Sequence, residues 1–118
     1  MKIFNAFKYA FSGIRYCFLY ERNFVIQLIA AGVVCVAGFV FKITTTEWFA
    51  VLFLFGLVLA FEMINTALEI LCNVKSEAFH PGIKKVKDIA AGAVLLVSIL
   101  SVIVGAIIFL PKIQLLIK

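Results

Sequence analysis

The sequence predicts an all-α membrane protein, with an amphipathic surface helix at the N-terminus followed by three transmembrane helices. Composition, apolar run length and charge placement each point that way. Of 118 residues, 65% are hydrophobic and only 14% charged, against about 45–50% and about 25% in ordinary soluble chains. A chain this short has too little interior to hide the surplus. With a mean hydropathy of +1.19, it must turn apolar surface to lipid. Three apolar runs are long enough to cross a hydrocarbon core, which takes roughly 20 residues of helix. Disordered chains, collagen-like repeats, disulfide scaffolds and large multidomain enzymes are excluded by the same counts.

Residues 1–23 do not read as a secretory signal, because Lys8, Arg15 and Arg22 interrupt the apolar pattern and no small-residue cleavage site follows. Phe4, Phe7, Ala10, Phe11, Ile14 and Phe18 recur at three- and four-residue steps, while Lys2, Asn5, Ser12 and Arg15 lie largely elsewhere. Such a helix rests in the interface with its aromatic side at the acyl boundary. The first span is expected over residues 24–41, interrupted only by Gln27 and closed by Lys42. Thr44 and Glu47 have the spacing of a capping box, so the second span covers residues 47–74, with Trp48 as an interfacial aromatic. That helix is longer than the hydrocarbon requires. A polar stretch from Lys75 to Gly82 follows, and Pro81 suits the first turn of a helix. The third span is expected over residues 83–110, ended by Pro111. With no repeat or linker, residues 1–118 read as one domain.

A net charge of +5 in a soluble protein would suggest nucleic acid. Here the basic residues flank apolar runs, so topology and anionic lipid headgroups account for them and no nucleic-acid partner is expected. Eight of the eleven Lys and Arg lie in the N-terminal segment and around the second loop, and three (Lys42, Lys112, Lys118) on the other side. That bias places the N-terminus and second loop in the cytoplasm. Cys17, Cys35 and Cys72 fit neither a metal spacing nor a disulfide framework and read as small apolar fillers.

The second helix carries residues that an inert span would not. Ionisable groups inside a membrane cost several kcal/mol each unless paired, solvated or turned to a bundle interior. Glu62, Asn65, Thr66, Glu69 and Asn73 nevertheless follow i, i+3, i+4, i+7, i+11, which stacks them on one helix face. Glu21, just before the first span, and Asp88, early in the third, come from the same side at similar depth. Four carboxylates are thus expected to converge on the cytoplasmic leaflet. Hard cations such as Mg²⁺ take oxygen ligands, often one or two carboxylates plus substrate phosphates; Glu21 and Glu69 suit that role. The run Lys84, Lys85, Lys87 sits where a helix macrodipole disfavours cations, a conflict that a nearby phosphate or lipid headgroup would relieve. Taken alone, these residues leave lipid chemistry, an ion path and helix packing open. No P-loop and no soluble-kinase triplet is present.

The string Glu62-Met-Ile-Asn65-Thr66-Ala67-Leu68-Glu69, followed nineteen residues after its second Glu by the Asp of Lys87-Asp88-Ile-Ala-Ala-Gly, resembles the signature of the small bacterial membrane lipid kinases, the diacylglycerol and undecaprenol kinase family. Gly13-Ile14-Arg15, Glu21-Arg22-Asn23 and Phe79-His80-Pro81 extend the resemblance over the whole chain. The resemblance implies a homotrimer in the bacterial cytoplasmic (inner) membrane that transfers the γ-phosphate of Mg-ATP to a lipid alcohol, feeding phospholipid or lipid-carrier recycling. Carried over, Glu62 matches the general base and Glu21 and Glu69 the Mg²⁺ ligands. Asn65, Lys87 and Asp88 match the nucleotide site, with Tyr9, Glu77 and His80 as further candidates, and Arg15 matches a substrate-binding position. The sequence departs from the family pattern at Val25, Gln27, Asn73 and Ala78, Asn73 standing where relatives usually carry Asp. The acceptor stays open between undecaprenol, towards which the Glu21-Arg22-Asn23 and Phe79-His80-Pro81 strings lean, and diacylglycerol. The alternative is a non-catalytic three-span protein, an ion path or assembly subunit, that retains the fold.

Overall fold

The computed structural model describes residues 2–75 and 80–117, which form four helices: α1 (Lys2–Tyr20), α2 (Arg22–Val40), α3 (Thr45–Lys75) and α4 (Pro81–Ile117). The last three are each long and apolar enough to cross a membrane. At 1.5 Å per residue they run about 28, 46 and 55 Å. Helix α3 is central, packing most extensively on α4 and also touching α1 and α2. Large apolar side chains from Phe4 to Ile117 stay exposed, as lipid-facing surface requires. Cys17, Cys35 and Cys72 are free thiols. Burial, with Glu21 nearby, pushes the Cys17 thiol up, so it stays protonated and serves as filler.

The break between α1 and α2 falls at Glu21, two residues earlier than the sequence suggested. Its backbone is extended, with φ −108° and ψ 104°. The helical bonding pattern persists across the break: the Glu21 N–H donates to the Cys17 carbonyl at 2.9 Å, and the Val25 N–H to the Glu21 carbonyl at 3.2 Å. The chain changes direction with little loss of hydrogen bonding. No Gly or Pro marks such a corner.

At the opposite end of α2 the turn into α3 is tightly determined. Lys42 adopts a left-handed φ of 53°. The Ile43 N–H reaches the Gly38 carbonyl at 3.1 Å, and the Lys42 N–H the Phe39 carbonyl at 3.4 Å, the two bonds of a Schellman stop. Gly38 is required here, since a Cβ would lie 2.8 Å from the Trp48 ring. The expected capping box is formed: the Thr44 N–H donates to Glu47 Oε1 at 2.9 Å and the Glu47 N–H to Thr44 Oγ1 at 3.1 Å. Lys112 of α4 closes the corner with an ion pair to Glu47 Oε2 at 3.0 Å. Ile43, Val51 and Ile108 form a buried cluster beneath it.

Pro111 does not end the helix. Helix α4 continues through it to Ile117. A proline inside a helix removes one N–H and crowds the carbonyl four residues back, but the Pro111 ring is exposed. The adjoining turn is held by Lys112, whose Nζ also donates to the Ile108 carbonyl at 3.1 Å. At its other end α4 begins at Pro81, as the first-turn preference of proline implies.

Candidate active site

The polar stripe of α3 grades from buried to exposed along its length. Glu62 is 7% exposed and Thr66 6%; Asn65 is half-buried, and Glu69 and Asn73 are exposed. A helix of α3's length outruns α2, so its last turns extend beyond the α1–α2 corner, and that geometry produces the gradient. Asn65 Nδ2 donates to Glu69 Oε1 at 3.4 Å. Among the described residues, the Asn65 Oδ1 atom is buried with no hydrogen-bond partner. An orphaned buried acceptor is costly, so this oxygen is held ready for a donor or cation that the isolated chain does not supply.

Glu21 is brought to the same place by the corner between α1 and α2. It is half-buried and does not cap α2 with its side chain. Glu21 and Glu69 both lie close enough to Glu62 for their charges to act on it. Asp88 pairs with Lys84 one turn earlier on its own helix, at 2.6 Å, with both side chains more than 60% exposed. The dipole conflict at the start of α4 is also relieved in part by this local i, i+4 pair. Among the described residues, no three His, Cys, Asp or Glu side chains could hold a metal ion by themselves. A magnesium that keeps phosphate oxygens and water in its shell needs only one or two of them.

Lys87 reaches across from α4 to α3, its Nζ donating to Asn73 Oδ1 at 2.9 Å. Asn73 was legible as the last member of the polar stripe and as a departure from the family pattern; the structure makes it the partner of a nucleotide-site candidate. Because the partner is a neutral amide, the pair leaves the Lys87 charge unmatched by an acid. His80 precedes α4, and its Nδ1 accepts the Gly82 N–H at 3.0 Å, an N-cap role that leaves Nε2 free to act. Tyr9 lies on α1 with 71% of its surface exposed. Glu77, like Ala78 and Phe79, falls outside the described residues.

Below α1 an open groove of about 610 Å³ runs between α1, α2 and α3. Its lining is apolar except for Arg15, and includes Phe18, Phe24, Gly56, Ala60 and Met63. Of its walls, Arg15 and the Phe11, Ile14 and Phe18 face of the N-terminal helix had been singled out from the sequence. The signal overlooked was the pair of small residues, Gly56 and Ala60, one turn apart in an otherwise bulky run.

Comparison with known proteins places these features in context. A family model described as prokaryotic diacylglycerol kinase matches residues 8–109. The chain is 37% identical over 111 residues to an undecaprenol kinase of Bacillus subtilis, covering 94% of this chain and 90% of that protein. It is 36% identical over 107 residues to a diacylglycerol kinase of a Synechocystis species, covering 90% of this chain but 61% of the relative's length.

Proposed function

Since the chain belongs to the prokaryotic diacylglycerol kinase family of lipid kinases, we propose that it transfers the γ-phosphoryl group of Mg-ATP to the hydroxyl of undecaprenol or diacylglycerol at the cytoplasmic face of the bacterial inner membrane. The observation that carries this reading is Glu62, a carboxylate 7% exposed within an apolar span, with Glu21 and Glu69 within electrostatic reach. Coverage of 90% of the B. subtilis enzyme favours undecaprenol as the first acceptor to try.

Phosphoryl transfer asks a protein mainly for positioning and charge neutralisation. The acceptor's hydroxyl meets Glu62. As the hydroxyl oxygen bonds to the γ-phosphorus and the bond to the β-phosphate oxygen breaks, Glu62 takes the hydroxyl proton; ADP leaves. Arg15, at the groove, holds the acceptor's polar end and then the new phosphate. Lys87, whose partner Asn73 is a neutral amide, binds nucleotide phosphate, and Asn65 and Asp88 complete the nucleotide site with Tyr9, Glu77 and His80 as further members.

The residues present fit a magnesium ion. Glu21 and Glu69 supply hard oxygens beside the unpartnered Asn65 Oδ1, a donor set that suits Mg²⁺. Bound there with the nucleotide phosphates, the ion would offset the negative charge of the transferring group. The chain acts as a homotrimer with the N-terminus and second loop cytoplasmic; the exposed polar ends of α3 and α4 leave room for a neighbour to complete each site.

A transfer assay with labelled ATP, purified protein and each lipid tests this directly. Glu62→Gln should retain assembly and nucleotide binding yet lose turnover by about 10²–10⁴-fold, the usual weight of a general base. Near-normal turnover in this variant would refute the base assignment, and no transfer by the unaltered protein to any prenol or diacylglycerol would refute the function.

A further inference from the structure

Thr66 is the one member of the α3 stripe to which the proposed chemistry gives no task. It is also the most buried of them, at 6% exposed. A hydroxyl within an apolar helix commonly satisfies itself by bonding back to the carbonyl one turn earlier. Ser101 of α4 does so, its Oγ donating to the Val97 carbonyl at 2.9 Å. Thr66 could reach the Glu62 carbonyl in the same way, yet among the described residues its hydroxyl makes no hydrogen bond. Nor is its oxygen sealed in: among the described residues Asn65 Oδ1 alone is fully enclosed without a partner. The Thr66 hydroxyl is therefore a donor left free and open to the space beside the stripe.

Its place along the helix determines what that donor meets. Thr66 follows Glu62 by four residues and precedes Glu69 by three, on the face that carries both. Along the axis it stands about 6 Å beyond Glu62 and about 4.5 Å short of Glu69. Glu21 and Glu69 both act on Glu62 through space, so the three carboxylates border one region and Thr66 lies within it. With Mg-ATP held at Glu21 and Glu69 and the acceptor's hydroxyl at Glu62, the γ-phosphoryl group crosses from the one to the other at the level of Thr66. Carboxylates repel phosphoryl oxygens, whereas a hydroxyl can donate to one. A fixed donor aimed at a group whose charge is being redistributed lowers the barrier to its transfer.

We propose that Thr66 is a further catalytic residue: its hydroxyl donates a hydrogen bond to a non-bridging oxygen of the γ-phosphoryl group as that group passes from the nucleotide at Glu69 to the acceptor oxygen at Glu62. The Thr66 proton stays on its own oxygen, and Glu62 alone takes the acceptor's proton. This rests on the lipid kinase reading above. In the purified full chain, Thr66→Val keeps the branched shape and removes the hydroxyl. It should lower kcat by at least about tenfold, towards the roughly 10²–10³-fold effect of one preorganised donor, with the KM for ATP and for the acceptor within about threefold. Thr66→Ser, which restores a hydroxyl, should recover most of the rate. Ser101→Ala is the control, because that hydroxyl is already bonded to Val97, and its kcat should match that of the unaltered protein. A loss of kcat below about tenfold in Thr66→Val, or a Thr66→Ser no faster than Thr66→Val, overturns the proposal.

Helix packing is the competing use of a hydroxyl in a membrane span, where Ser and Thr also bond neighbouring helices. A Thr66→Val variant that loses rate together with its thermal midpoint in detergent, or with its assembly, overturns the proposal. A second measurement isolates the transferring group. ADP with aluminium fluoride, a mimic of the phosphoryl group in flight, should bind Thr66→Val more weakly by about the factor that kcat falls, while ATP binds both proteins alike; equal binding of the mimic overturns the proposal. If the unaltered protein phosphorylates a lipid and Thr66→Val does so as fast, this proposal alone falls. If the unaltered protein phosphorylates none, the kinase reading falls and this proposal with it.

Discussion

Glu47 and Glu62 lie on the same helix and meet opposite surroundings. Glu47, near the start of α3, accepts a backbone hydrogen bond from Thr44 and an ion pair from Lys112, and its own N–H is capped by Thr44. Glu62 is more deeply buried, at 7% exposure, and has no hydrogen bond or ion pair among the described residues. Its electrostatic neighbours are Glu21 and Glu69, charges of its own sign. The contrast extends to the two ends of the bundle. The Glu47 end has a Schellman stop, a capping box, the Gly38–Trp48 contact and the edge-on Phe41–Phe109 pair with centroids 6.1 Å apart. At the Glu62 end, Asn65 Oδ1 is orphaned, Lys87 is held by a neutral amide, and Asp88 is exposed.

One end of the molecule satisfies its polar groups internally, while at the other, among the described residues, Asn65 Oδ1 is buried without a partner. Satisfied polar groups rigidify a structure and specify one arrangement. Unsatisfied ones are a cost that natural sequences concentrate at functional sites. The tight corner fixes the register between α2, α3 and α4, and that register brings Glu21, Glu62 and Glu69 together at the opposite end. Stability and chemistry are thus separated along the length of a single helix.

Matched substitutions can break this division. The largest expected effect is that of Glu62→Gln, whose turnover falls while its thermal midpoint in detergent holds. Glu47→Gln should reverse the pattern, with a lower midpoint and activity retained per folded molecule; a normal midpoint would mean that the corner does not depend on the Lys112 pair. Gly38→Val comes next. A Cβ 2.8 Å from the Trp48 ring forces the corner apart, at about 1–3 kcal/mol of overpacking, read as a lower midpoint. An unchanged midpoint would show that the Trp48 ring moves aside freely. The smallest effect is expected from Asn73→Asp, which pairs Lys87 with a charge on an exposed surface, worth about 0.2–1 kcal/mol. The KM for ATP should rise by about two- to fivefold, with the acceptor KM unaffected; no change would remove Lys87 from the nucleotide site.

Much of this protein was legible in the residue order because membrane helices and their caps are local. Three apolar runs suffice for three spans, Thr44 and Glu47 suffice for a capping box, and the 3.6-residue repeat alone puts Glu62, Asn65 and Glu69 on one face. The signature from Glu62 to Asp88 also carried the family. The remaining features depend on pairs distant in sequence or on space between helices. Glu47 and Lys112 are 65 positions apart, and Lys87 finds Asn73 only because α4 packs back on α3. Asp88 pairs with Lys84 one turn away on its own helix. Pro111 reads as a stop, but an exposed ring and a Lys112 side chain on the Ile108 carbonyl let the helix continue. Gly56 and Ala60 look like any small lipid-facing residues until α1 and α2 close a groove over them. The sequence by itself determined which segments span and which helix face is polar, since both follow from periodicity and burial in lipid. Only the tertiary structure decided which polar groups are satisfied and where open space remains, because those depend on which helices meet.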